Sequence, residues 1–182
     1  MKYLDRIESQ DQALAARLAD FIPAEVFDIH AHPHQAAHYA AGVWSFLDPG
    51  DSAGPLEHRA ALLRYMPVST IHGLYFGLPH KTADRRAMNG WIAEEVRLRG
   101  TSLSRALILT APTDDPAEVA SALRSGRFCG IKVYHCYSGN ENTMQATVEE
   151  FAPEWMWELL HEVRGVLMLH IVRDAAISDS RN

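Results

Sequence analysis

The stretch Val26-Phe27-Asp28-Ile29-His30-Ala31-His32-Pro33-His34 carries the residues best suited to chemistry. An apolar run leads into two histidines two residues apart. Successive side chains on a strand alternate faces, so this spacing puts His30 and His32 on one face at the strand's C-terminal end. The same alternation assigns Asp28 to that face. In a parallel barrel or open α/β sheet, the C-terminal ends of strands are where ligands and catalytic groups collect. Two neutral imidazoles converging there make half of a divalent-metal site. The competing reading is a histidine-rich polar loop after a strand. The apolar strand before the pair, and compatible partners later in the chain, favour the metal reading.

Those partners are Lys132 and His170. Lys132 lies inside Gly130-Ile131-Lys132-Val133-Tyr134-His135. A lysine inside an apolar strand demands a compensating role. His170 closes Leu167-Met168-Leu169-His170. In a parallel barrel all four side chains would meet at one rim, a coincidence that no local motif produces. Other residues have two open readings. His34 and His38 are substrate or second-metal contacts, or exposed loop histidines. Tyr134, His135 and Tyr137 line a pocket beyond Lys132, or simply pack. His80 and Lys81 could meet an anionic group at the rim. Arg173 and Asp174 position substrate or form a loop ion pair. His72 is expected to be a satisfied core histidine, and His58 and His161 surface residues of helices. Adjacent strand residues face opposite ways, which argues against His135 and Cys136 as a nucleophilic pair. Trp44, Trp91, Trp155 and Trp157 are expected to pack rather than bind.

The elements that must position these groups alternate. A helix over Ser9–Asp20, with Ser9 as its cap, stops at Pro23. The first strand covers Val26–His30. A long connection from Pro33 to Pro55, rich in aromatics, reads as a folded lid or pocket wall. Next come a helix over Leu56–Tyr65, a strand over Thr70–Leu78 and an amphipathic helix over Lys81–Arg99 ended by Gly100. A third strand spans Arg105–Ala111. Asp114 or Asp115 caps a helix with Pro116 at its first position and Gly126 at its end. A fourth strand over Phe128–Tyr134, a helix over Pro153–Val163 and a fifth strand over Gly165–Ile171 complete the series. Several strands are nearly continuous apolar runs, as expected when both faces are covered. The pattern is that of an α/β protein with a parallel sheet, in a single domain over residues 1–182.

The bulk composition narrows the function. The chain has 182 residues, 47% apolar and 22% charged, with a formal charge of −6. That acidity argues against a nucleic-acid surface. Two cysteines, Cys129 and Cys136, are too few for a disulfide scaffold and suit a reducing cytoplasm. No run of about 18 apolar residues is present for a membrane span, and no secretory leader is evident. Strand one is not followed by the glycine fingerprint of a dinucleotide site.

On three segments the chain resembles the amidohydrolase superfamily, the metal-dependent hydrolases built on a (β/α) barrel. They are Asp28-Ile29-His30-Ala31-His32, Gly130-Ile131-Lys132-Val133 and Leu167-Met168-Leu169-His170. The resemblance implies His30, His32 and His170 as metal ligands. It implies for Lys132 either a carboxylated bridge between two ions or a contact to a substrate anion. Zinc is the first choice of ion and manganese the second, and one ion or two stays open. The implied reaction is attack of activated water on an amide, lactone or ester of a small-molecule substrate. The family barrel has eight strands, and this chain reaches the fifth. The expectation is therefore an incomplete barrel of about five of eight strand-helix units, the N-terminal portion of a longer enzyme. Exposed sheet edges would then promote self-association. Two alternatives stand beside the hydrolase: a metal-dependent decarboxylase or hydratase of the same superfamily, and a non-catalytic binding or assembly module.

Overall fold

The computed structural model describes residues 9–66, 68–173 and 176–180. Helix α1 spans Ser9–Leu18, and strand β1 spans Glu25–Ala31. The connection from Pro33 to Pro55 is folded, as its aromatics suggested. His34–Gln35 (β2) pairs antiparallel with Ser52–Ala53 (β3), which staples the two ends of that connection together. Helix α2 (Pro55–Leu62) starts with proline at its first position, where no amide partner is needed. The Gly54 amide donates to Glu57 Oε2 at 2.8 Å.

Strand β4 (Thr70–Tyr75) runs parallel to β1, and α3 (Arg85–Arg99) follows it. The helix starts four residues later than its pattern suggested. Asp84 sets the start, its carboxylate accepting from the Ala87 amide. The third strand is broken at Leu107 into β5 (Arg105–Ala106) and β6 (Ile108–Leu109). β5 pairs with β4 and β6 with β7 (Gly130–Lys132), so the sheet divides there. Backbone bonds still cross the break, from Leu107 N–H to Tyr75 O and from Cys129 N–H to Ala106 O. Helix α4 (Pro116–Arg124) is capped by Asp115, and Gly126 turns the chain beyond it at φ +74°. A short helix α5 (Val148–Phe151) lies in the segment between β7 and the next helix. Helix α6 (Glu154–Val163) leads to β8 (Val166–Met168), parallel to β7. Strand β8 stops at Met168, so His170 lies past the strand rather than on it.

All strand pairs of the two three-stranded sheets are parallel, as the alternation of elements required. The described residues close no barrel; the order is β1-β4-β5 and β6-β7-β8. Among the described residues, no helix is long and apolar enough to cross a membrane.

The two faces of the sheet differ. Tyr75, Leu109, Ile131 and Val133 form the main core with Met88 and Ile92 of α3 and Met156 and Leu160 of α6. These helix residues recur at a spacing of four, the stripe of a helix packed on a sheet. On the opposite face only Leu74, Phe76 and Leu107 cluster, joined by Cys129 and Met168. Phe27, Ile29 and Val166 are left exposed. The expectation that both faces are covered therefore holds for β4 and fails for β1, which is an edge strand.

Gly130 is where β7 and β8 approach most closely: a methyl group there would run into the Val166 backbone. Gly130→Ala is expected to cost about 2–3 kcal/mol of stability, because backbone cannot yield as a side chain can. A lower urea midpoint at unchanged slope would register it.

Candidate functional site

The site is assembled at the ends of β1, β4 and β7 and in the segment after β8. His30 and His32 do converge. Their Nε2 atoms lie 3.2 Å apart, with the rings nearly perpendicular. Phe76, just past β4, packs edge-on against both, 4.9 Å from His30 and 4.8 Å from His32. His32 Nδ1 lies 3.2 Å from the Phe76 carbonyl, so Nδ1 carries the proton and donates it. The lone pair of His32 then sits on Nε2, facing His30. Without an ion, the His30 Nε2–H satisfies that lone pair. Burial, followed by the nearby His30 charge, pulls His32 down to about 4. Burial and then the Lys132 charge lower His30 as well. Both rings are neutral at physiological pH, the form that binds metals.

Lys132 is completely buried, and its Nζ has no hydrogen-bond partner among the described residues. Strand alternation places it with Leu74 and Phe76, away from the helices. Nζ stands 5.2 Å from the centre of the Phe76 ring and 4.4 Å from that of Tyr134. The faces of these rings are the ammonium's sole compensation in view. Burial pulls Lys132 down to about 8.

His170 meets the same Tyr134 ring. Its ring lies 4.9 Å from Tyr134 and stacks on His135 at 5.5 Å. His135 Nδ1 points at the Thr143 carbonyl, 2.9 Å away, which fixes its ring. Burial, then the charges of Lys132, His135 and His30, lower His170. One chain of contacts thus runs from His30 and His32 through Phe76, Lys132 and Tyr134 to His170 and His135. The four expected ligands are linked through shared neighbours, and the His30 charge is felt at His170. Among the described residues, no group of three or more His, Cys, Asp or Glu side chains is close enough to hold an ion.

Other expectations need correction. Asp28 is not on the histidine face; it bonds to His58 of α2, 2.8 Å away. His58 is accordingly half-buried rather than a surface residue. His38 is buried against Trp91, not exposed. His34 turns back on the His32 carbonyl at 3.2 Å. His72 is the satisfied core histidine expected, bonded to Glu25 and Thr101. Trp44, Trp91 and Trp155 pack on the core, whereas Trp157 is largely exposed. Arg173 pairs with Asp179 at 3.4 Å; Asp174 lies outside the described residues. Cys136 is a free thiol that burial pushes up, away from reactivity. Phe76 escaped the sequence reading. Its only sequence signal is its place two residues after Leu74, on the face that Lys132 also occupies.

The cavity of about 690 Å³ between α3 and α4, lined by Arg85, Asn89, Asp114 and Arg127, contains none of these histidines. No family model, curated protein or solved structure matches the chain.

The buried ammonium weakens the fold in a pH-dependent way. Unfolded, Lys132 returns to the ordinary value of 10.5; folded, it gives up its proton near pH 8. The penalty of about 3 kcal/mol is complete below pH 8 and fades as pH rises toward 10.5. Lys132→Met keeps the volume and removes the charge. It is expected to raise the urea midpoint of the chelator-treated protein at neutral pH. It should also abolish the stability gain between pH 8 and 10.5; identical pH slopes in both proteins would contradict burial of the charge.

Proposed function

We propose that the chain belongs to a metal-dependent hydrolase of the amidohydrolase type, with its parallel strands part of a (β/α) barrel. His30 and His32 would hold the ion, zinc or manganese, with His170 brought in as the third ligand when the ion binds. The observation that carries this reading is the 3.2 Å separation of the His30 and His32 Nε2 atoms. Two imidazole nitrogens, each about 2.05 Å from one tetrahedral ion, stand about 3.3 Å apart. The Phe76 carbonyl on His32 Nδ1 is the kind of outer contact that aims a metal-binding histidine. The unpartnered Lys132 Nζ gives the donor set a further group in need of a ligand.

When bound, a divalent ion supplies Lewis acidity toward a carbonyl oxygen and acidifies water. The chain's own residues do the rest. Neutral imidazoles present lone pairs, and Phe76 keeps water off one side of both rings. His135 holds His170 by stacking. As a neutral amine, Lys132 is open to carboxylation and could then bridge a second ion. As an ammonium it would repel a cation and attract a substrate anion. The reaction supported best is hydrolysis of an amide, lactone or ester in a small molecule.

The unpaired Lys132 charge also favours a second reading, a decarboxylase of the same superfamily, because a substrate carboxylate would satisfy that ammonium. Release of carbon dioxide rather than uptake of water separates the two. A binding or assembly role gains support from the free β1 and β8 edges beside exposed Phe27, Ile29 and Val166. The strands of the two three-stranded sheets run the same way, so the β1 edge of one copy can extend the β8 edge of another. Light scattering should then show concentration-dependent association that Ile29→Lys weakens.

Elemental mass spectrometry on untagged chain prepared without chelator tests the metal directly. Near-stoichiometric zinc or manganese is expected, lost in His30→Ala and in His32→Ala and reduced in His170→Ala. Metal content that is absent throughout, or indifferent to these changes, would refute the assignment.

A further inference from the structure

Asp28 does a different job from the one its spacing suggests. β1 and β4 pair in register as far as Asp28 and Gly73, and next at Ala31 and Tyr75. Three residues of β1 therefore advance against two of β4, which is a bulge. Beyond it His30 and His32 lie against Phe76, while Asp28 remains on the side of α2.

There both carboxylate oxygens are engaged. Oδ1 accepts the His30 backbone N–H at 2.9 Å, and Oδ2 lies 2.8 Å from His58 Nε2. His58 Nδ1 is 3.1 Å from the hydroxyl of Tyr75, which is completely buried. One set of protons satisfies every member. Tyr75 O–H donates to His58 Nδ1, His58 Nε2–H donates to Asp28 Oδ2, and His30 N–H donates to Asp28 Oδ1. The His58 hydrogen bond holds the Asp28 carboxyl below its ordinary value, and burial pushes the Tyr75 hydroxyl up, so both keep these roles. Gly73 gives the ring its room: a methyl group there would strike Tyr75.

We propose that His58 and Tyr75, acting through Asp28, are positioning residues that hold the β1 bulge and thereby set the spacing of His30 and His32. Removing the His58 donor frees Asp28 to turn, and the His30 amide loses its acceptor. The bulged residue is then unanchored and the two imidazoles separate. The chain of bonds links the helix layer to the histidine pair through a single backbone amide. An ordinary structural ion pair would stabilise the fold without tuning that pair. The inference rests on the metal reading only where metal is the probe.

Two readouts test it: Co²⁺ affinity with its visible ligand-field bands, and amide hydrogen exchange at His30. His58→Leu is expected to lower Co²⁺ affinity about tenfold or more, the usual cost of losing an outer-shell partner. It should also shift the bands and speed His30 exchange by a similar factor, with little change in the unfolding midpoint. His58→Gln, whose side-chain amide can still donate to Asp28, should recover most of both losses. Tyr75→Phe should fall between. Unchanged affinity and unchanged His30 exchange in His58→Leu would overturn the proposal. If the unsubstituted chain takes up no Co²⁺, the metal reading fails, and His30 exchange alone decides this one. If His58→Leu does not fold, Tyr75→Phe replaces it: faster His30 exchange supports the proposal, and exchange matching the unsubstituted chain overturns it.

Discussion

Between Asp28 and Ala31, β1 carries one more residue than the stretch of β4 it pairs with. A strand's side chains alternate strictly, so an unbulged β1 would send Asp28, His30 and His32 to the same face. The extra residue divides them. Asp28 is handed to α2 and the imidazoles to Phe76, so each meets a partner suited to its chemistry. A carboxylate is stabilised by fixed donors, here His58 and the His30 amide. A ligand pair needs free lone pairs, which an apolar ring such as Phe76 does not consume.

Electrostatically the site is a set of neutral imidazoles around one ammonium that burial makes easier to deprotonate. Burial comes first for His30, His32, His170 and Lys132 alike, and repulsion from neighbouring charges adds to it for the three histidines. Protonating any one raises the cost of protonating the next, since low-dielectric surroundings screen poorly. Such a cluster gains from any ligand that shares its lone pairs or cancels its residual charge. A divalent ion does the former at the histidine pair, and an anion does the latter at Lys132.

The scaffold around the site is lopsided. The helix-side core is extensive, running from Tyr75 through Ile131 to Met156. Among the described residues, the cluster on the other face is Leu74, Phe76 and Leu107, followed by the site itself. Lys132 is therefore buried by Phe76 and Tyr134 rather than by a thick core, which keeps its Nζ within reach of the histidines and their potential ligands. The same thinness leaves Phe27 and Ile29 of β1 exposed.

Local pattern alone determined much of this protein. The alternation of strands and helices, the parallel pairing, an aspartate cap at Asp114 or Asp115 before Pro116, and the convergence of His30 with His32 all follow from neighbours within a few residues, where backbone geometry dictates the outcome. Lys132 was legible for a related reason, because a charge in an apolar strand has few ways to be accommodated. What only the tertiary structure decided depends on partners far along the chain. The β1 bulge exists relative to β4, and no periodicity within β1 encodes it. His58 looked like a surface residue because its partner, Asp28, lies 30 positions earlier. Phe76 acquired its place only when β4 came to lie between β1 and β5, beside the histidines at one end of its contacts and Lys132 at the other. Spacing along a chain sets which residues can share a face; pairing between strands, which slips by a residue here at no local signal, sets which face that is.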